Sequence, residues 1–331
     1  MTRKSIIIVS PASQRENNGN WQTASRWAGF LGRDHDVRIV HDWRAGDPVA
    51  DLLIALHARR AAPALAAFTA ACPQRPALLV LTGTDLYRDI AIDADARASL
   101  DRASALVLLQ PDGLALLPAG VRTKASVIYQ SAPALARVAG DPHTPVISMI
   151  GHLRAEKDPA TFMAAAALVT APGARLLHIG GALDAALGTL AADTARATPR
   201  YQWLGHLPHD AARETLRRSH AMAIASTMEG GANVVIEAVT CGVPVLASDI
   251  DGNRGMLGAD YAGYFAVGDA AALAALIDRS IGDAAFYARL CAQCAARAAL
   301  FAPAAEQAAL LQLVDNLFDQ APAPPLQRKA Q

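Results

Sequence analysis

Three features of the sequence predict an α/β protein built from two doubly wound parallel sheets in tandem. Short apolar runs alternate with helical patterns along most of the chain. The alternation restarts after a Pro-marked break at Asp141-Pro142-His143-Thr144-Pro145. A length of 331 residues suits two domains of ~150 residues each.

Ser5-Ile6-Ile7-Ile8-Val9 reads as a buried first strand, and further strands are expected at 37–40, 52–56, 78–81, 105–109 and 126–129. Helical patterns fill the gaps at 21–31, 58–71, 94–102 and 112–117. In the second series, strands are expected at 146–150, 175–179, 201–204, 221–225 and 243–247, with helices at 159–170, 183–196, 210–218 and 233–241. After Phe265 the chain turns helical, at 270–281, 284–300 and 303–318. Pro303 suits a first helical position, where its missing N–H is not needed. The Pro- and Ala-rich tail at 321–331 is expected to be disordered. Domains are therefore expected at 1–138 and 139–302. Such sheets bind ligands at the carboxyl ends of their strands, so two in tandem would enclose a cleft.

With 53% hydrophobic and 18% charged residues the chain can bury sizeable cores. Thirty basic residues balance thirty acidic ones, with no basic stripe, which argues against a nucleic-acid partner. No run of 18 apolar residues occurs, so no membrane span is expected. The basic start at Arg3-Lys4 precedes an apolar run too short for a signal peptide, and a cytoplasmic location is expected. Cys291 and Cys294 form a C-x-x-C without a second ligand pair, which reads as helix-packing thiols. Two Asp-x-Asp sequences, Asp93/Asp95 and Asp249/Asp251, are weak metal candidates. Neither a metal nor a cofactor is expected.

The most informative stretch runs from Ser226-Thr227-Met228-Glu229-Gly230-Gly231-Ala232-Asn233 through Glu237-Ala238 to Cys241-Gly242-Val243-Pro244-Val245. It sets two carboxylates around a glycine pair and a helix start. Glycines admit close backbone approach, and a helix N-terminus offers unpaired N–H groups and a positive dipole end, a combination that suits a diphosphate. Glu229 in the loop is placed to meet the group being transferred. Glu237, about two turns into the helix at ~1.5 Å per residue, is placed to accept hydrogen bonds from a diol. Gly151-His152-Leu153-Arg154-Ala155-Glu156-Lys157-Asp158 lies where a strand end meets a helix start, so its cations would face a bound phosphate.

This pattern resembles the E-x7-E signature of the retaining GT-B glycosyltransferases, whose fold is two Rossmann-like doubly wound domains facing each other across a cleft. The resemblance implies Glu229 at the donor sugar, Glu237 on the nucleotide ribose, and Gly230, Gly231, Ala232 and Asn233 at the diphosphate. It also implies that a late helix, about 303–319, packs back on the first domain. The family's Gly-Arg-Leu-x-x-x-Lys-Gly neutralises the leaving group. Lys157 matches its lysine, while His152 stands in place of the arginine and Asp158 in place of the glycine, which leaves Arg154 as the second cation. Trp203 and Leu204 fall in the loop beside the nucleobase, with a plain core role open for Trp203. Gly19, between Asn18 and Asn20, falls in the loop near the diphosphate and acceptor.

A narrower resemblance covers nearly the whole chain outside the tail, to the selenosugar synthases of selenoneine biosynthesis. It rests on Asn17-Asn18-Gly19-Asn20-Trp21, Leu53-Ile54-Ala55-Leu56-His57-Ala58-Arg59-Arg60, Leu81-Thr82-Gly83-Thr84-Asp85-Leu86-Tyr87, Val127-Ile128-Tyr129-Gln130-Ser131-Ala132, the Lys157 segment and the Glu229 segment. It implies transfer from a UDP-sugar, such as UDP-N-acetylglucosamine, to the selenium of selenophosphate, with no metal needed. Selenophosphate is already anionic, so positioning matters more than a base. Thr82, Gly83 and Thr84, by hydroxyls and backbone N–H groups, with Asn18, Asn20, Gln130 and Arg15, are the candidates to hold its oxygens. His57, at a strand end, is a further acceptor-side candidate or a structural histidine. The alternatives are an O-glycosyltransferase acting on a small-molecule or lipid alcohol, and a nucleotide-sugar-binding protein without catalysis.

Overall fold

The computed structural model describes residues 3–15 and 18–320, so the expectations for Asn17 and the 321–331 tail lie outside it. The chain forms two compact units, one comprising residues up to Tyr129 and again from Glu306, the other Gln130–Ala305. The first unit therefore ends earlier than the 138/139 boundary expected from sequence.

The first unit holds a six-stranded, wholly parallel sheet: β1 (Ser5–Val9), β2 (Asp36–Val40), β3 (Leu52–Leu56), β4 (Ala77–Leu81), β5 (Ala105–Leu108) and β6 (Ala125–Val127). Its order is β2-β1-β3-β4-β5-β6, so the sheet changes direction of growth between β1 and β3. Strand residues alternate between two cores, because successive side chains leave opposite faces. Ile7, Leu53, Leu79 and Leu106 pack on one face with Leu65 and Phe68 of helix Ala62–Ala71. Ile8, Ile54, Val80 and Val107 pack on the other with Trp27 of helix Gly19–Leu31 and Leu310, Val314 and Leu317 of helix Pro303–Gln320. That last helix is pinned by a buried carboxylate. Glu306 accepts from Arg26 Nε at 2.5 Å and Nη2 at 3.0 Å, and from Trp27 Nε1 at 2.7 Å.

The second unit holds another parallel sheet: β7 (Val146–Ile150), β8 (Arg175–Ile179), β9 (Tyr201–Trp203), β10 (Ala221–Ile224), β11 (Val245–Ser248) and β12 (Tyr264–Phe265). Its order, β12-β11-β10-β7-β8-β9, puts the change of direction between β7 and β10. Those two strands pair at Ala221↔Ile147 and Met222↔Ser148, whereas β7 stays paired with β8 as far as Ile150. A crevice at the carboxyl ends of β7 and β10 is where a doubly wound sheet places its ligand.

Two local departures from the sequence expectation have clear causes. The helix expected from residue 58 starts at Ala62, because His57 adopts φ +78° and the Ala58 N–H is taken by the Asp85 carboxylate. The strand expected from Val243 starts at Val245, after Pro244, which has no N–H for a ladder. After β11 the chain forms a short helix, Asp251–Leu257. The segment Asp85–Asp89 is a π-helical turn that periodicity did not announce.

Two predictions follow from these cores. Glu306→Leu leaves Arg26 and Trp27 without their buried acceptor and should destabilise the first unit by about 3–5 kcal/mol in urea unfolding, with Glu306→Gln losing less. A loss within the error of the measurement would refute the anchoring role. In the second unit, burial pushes the His178 imidazole down to about 4. An unfolded chain takes up this proton first as pH falls, so stability is intact above about 6.5 and declines by on the order of 3 kcal/mol down to pH about 4. His178→Phe should show a shallower decline over that window, and an unchanged slope would contradict the assignment.

Candidate active site

The sequence after β7 and the sequence after β10, 72 residues apart, meet at the crevice in the second sheet. Lys157 Nζ donates to Glu229 Oε1 at 2.5 Å, with the two side chains 17% and 10% exposed. Ser226 Oγ donates to the same oxygen at 2.6 Å. Among the described residues no donor is directed at Oε2. The two loops are also joined through backbone, where Thr227 N–H donates to the Glu156 carbonyl at 3.0 Å. The Lys157 stem lies over Gly151, where a Cβ would stand in ordinary contact with it at 3.7 Å.

Asp158 explains how the chain does without the glycine that the resemblance expects. Its backbone is left-handed, at φ +41° and ψ +57°, a region Asp tolerates better than most residues. From there its carboxylate caps helix Pro159–Leu168, accepting from Thr161 N–H and Oγ1. Arg154, exposed, opens the short turn that carries Lys157. His152 takes another role than the arginine it replaces. Its Nδ1 accepts from Gly181 N–H at 3.1 Å, and its ring lies parallel to His206 with centroids 5.9 Å apart. Burial, followed by the charge of His206, lowers its pKa, so at neutral pH it brings no positive charge to the site.

Glu229 is held from behind by residues that the sequence reading did not single out. Gly252 lies so close that a Cβ would meet the Glu229 carbonyl oxygen at 2.0 Å. Asn253 Nδ2 donates to the Ser248 carbonyl at 2.8 Å, and Ser248 Oγ donates to the Ser226 carbonyl at 2.6 Å. These contacts come from Asp249-Ile250-Asp251-Gly252-Asn253, whose Asp249/Asp251 pair is a weak metal candidate in the sequence. Asp249 instead pairs with Arg254, and Asp93 caps helix Ala94–Arg102. Among the described residues no group of three or more His, Cys, Asp and Glu is placed to hold a metal.

Gly230, Gly231 and Ala232 lead into helix Asn233–Thr240, which has no side-chain cap and no acidic residue in its first turn. Its N-terminal N–H groups are therefore available to an anion. One turn further in, Glu237 Oε1 accepts from His209 Nε2 at 2.7 Å. Trp203 is half-buried and spends its indole N–H on the Gly180 carbonyl at 2.8 Å. Leu204 N–H donates to the His178 carbonyl, which fixes the backbone of the same loop.

In the first unit, Asn18 caps helix Gly19–Leu31, its Oδ1 accepting from Asn20 and Trp21 N–H. Gly19 is the first helical residue, and its carbonyl accepts from Thr23 Oγ1. Asn20 is half-buried and Arg15 exposed. The loop after β4 corrects one expectation. The Thr82 and Gly83 N–H groups do not stand open to an acceptor, because both donate to Asp85 Oδ1, at 2.9 and 2.8 Å. This carboxylate is wholly buried and would be unstable without such donors. Thr84 remains, with His57 Nε2 at 3.1 Å from its Oγ1. His57 Nδ1 accepts from Arg60 N–H, which places the neutral ring's proton on Nε2 and makes it the donor to Thr84. Burial lowers the His57 pKa and keeps the ring neutral. Gln130 is buried and is the first residue of the second unit.

Residues 136–299, nearly the whole second unit, match the family described as Glycosyl transferases group 1. No curated protein matches the sequence. Among solved structures, sucrose-phosphate synthase from Thermosynechococcus elongatus superposes with TM-score 0.77 over 96% of this chain and 100% of its own, at 17% identity. Anabaena HepE, in complex with UDP and glucose, gives TM-score 0.74 over 95% of this chain and 100% of its own, at 16% identity. S. aureus TarM, in complex with alpha-GlcNAc-glycerol and UDP among others, gives 0.64 over 81% of this chain and 55% of its own, at 13% identity. The two parallel α/β sheets are thus those of the GT-B fold. The family match therefore falls on the unit that carries the Lys157–Glu229 pair.

Proposed function

We propose that the protein transfers the sugar of a UDP-sugar, N-acetylglucosamine in the favoured case, to the selenium of selenophosphate. The carrying observation is the Lys157–Glu229 pair in the crevice between β7 and β10, beside an uncapped helix start. When a diphosphate arrives, Lys157 exchanges its carboxylate partner for phosphate oxygens, assisted by Arg154 and the N–H groups around Asn233. Glu229 Oε2 takes a sugar hydroxyl, Glu237 takes the ribose, and the Trp203–Leu204 loop flanks the base. Anabaena HepE, of the same fold, has been crystallised with UDP-glucose, which supports the donor class.

The acceptor reading draws on Thr84. Since His57 donates to its hydroxyl oxygen, the Thr84 O–H points its own proton elsewhere, as a donor suited to an anion. A general base for an alcohol would need the opposite arrangement. In the proposed step selenium forms a bond to the anomeric carbon while the bond from that carbon to the UDP oxygen breaks. Water then cleaves the selenium–phosphorus bond, releasing phosphate and the 1-selenosugar. This is the chemistry that would feed selenoneine biosynthesis.

The test is to incubate the protein with a panel of UDP-sugars, with and without selenophosphate, and to follow UDP release and selenium-labelled sugar by mass spectrometry. Glu229→Gln and Lys157→Ala should each lower kcat/KM by about 10²–10³, as loss of a charge-stabilising group does. Sugar transfer only to alcohols would remove selenophosphate and keep the glycosyltransferase. No sugar transfer from any UDP-sugar to any acceptor would remove both.

A further inference from the structure

We propose that His209 is a positioning residue for the nucleotide: it clamps one oxygen of Glu237 so that the rest of the carboxylate is presented to a ribose diol. The inference rests on the UDP-sugar reading and extends it to a residue outside the E-x7-E pattern. His209 opens helix His209–Arg217, and Glu237 stands in the second turn of helix Asn233–Thr240, 28 residues later. Only 13% of the Glu237 side chain is exposed, against 46% for His209. A carboxylate so far removed from water needs a donor, and Nε2–H at 2.7 Å supplies it to Oε1. Among the described residues none donates to Oε2. Glu229 is held in the same manner, with Oε1 occupied by Ser226 and Lys157. Both carboxylates of the pattern thus have one oxygen fixed from within the protein and the other left for a hydroxyl.

The groups that set the charge on His209 are few. The hydrogen bond His209 donates to Glu237 raises its pKa, burial opposes, the Glu237 charge adds to the rise, Arg213 lowers it and Asp210 raises it. At low pH the imidazolium draws on the carboxylate charge that the diol would otherwise meet. As pH rises through the His209 titration, the neutral ring still donates through Nε2–H but competes less.

The experiment measures binding of UDP and of 2′,3′-dideoxy-UDP to the full-length protein by calorimetry, for wild type, His209→Leu and His209→Gln. His209→Leu should weaken UDP about tenfold, which is ~1.4 kcal/mol, and leave the dideoxy analogue nearly unchanged. His209→Gln, whose amide N–H restores a donor to Oε1, should recover most of the loss. In turnover the effect should fall on KM, with kcat nearly unaltered. The wild type alone carries a second test, in which its preference for UDP over the dideoxy analogue should increase as pH rises through the His209 titration. Equal weakening of both ligands, unaltered UDP binding in His209→Leu, or a preference flat with pH would overturn the proposal. If the wild type does not bind UDP at all, the donor reading itself fails, an outcome distinct from these.

Discussion

The second unit depends on one pairing of charges, Lys157 with Glu229, which closes two loops that leave adjacent strands of the sheet. Neither partner is well solvated, and a partly buried charge without its counterpart is costly. The pair therefore does more than fill space. It fixes the loop after β7 against the loop after β10, beside a helix start whose N–H groups are open. In the proposed transfer, a diphosphate would compete for that cation. Lysine suits this exchange, since its ammonium is a compact point charge with three donors on a flexible stem. The buried chain from Asn253 through Ser248 to the Ser226 carbonyl keeps the Glu229 loop in register.

Much of this was legible in the sequence because it is written locally. Apolar runs of strand length gave the two sheets, and Glu229, Glu237, Gly230, Gly231 and Lys157 lie within short segments whose chemistry can be read in place. The missed residues act over distance. His209 is 28 residues from Glu237, and Gly252 is important because another segment's backbone lies against it. No pattern within either segment reports such a contact. The Thr82–Thr84 loop shows a different limit. Its residue types suggested open donors, and only the buried Asp85 carboxylate three residues past Thr82 shows where two of those N–H groups go. The π-helical turn Asp85–Asp89 that follows was equally invisible to a 3.6-residue period.

The two substitutions in the Lys157 segment differ in physical consequence. Asp158 replaces a glycine at little cost, because its side chain turns a left-handed position into a helix cap. His152 replaces a permanent cation with a ring whose pKa is lowered by partial desolvation and by its neighbour His206. The charge at this end of the crevice is therefore smaller than the resemblance implied. The His152–His206 stack adds a flat, polarisable face beside Gly181.

In the loops of the first unit, several polar groups are committed to structure. His57 sits at φ +78°, a conformation that is uncommon for a residue with a Cβ and usually has a reason. Here the strained backbone brings Nδ1 to the Arg60 N–H and Nε2–H to Thr84, so both ring nitrogens are engaged within the unit. An imidazole in that state cannot accept a proton at either nitrogen without giving up a hydrogen bond, and burial already disfavours its charged form. Asp85, with three backbone N–H groups on its carboxylate, is likewise committed to structure. What this end of the sheet presents is a hydroxyl donor at Thr84 and the side-chain amide N–H₂ of Asn18, whose Oδ1 is already used in capping. Under the proposed transfer, such groups would orient a nucleophile that is anionic on arrival and would do little for one that must first lose a proton.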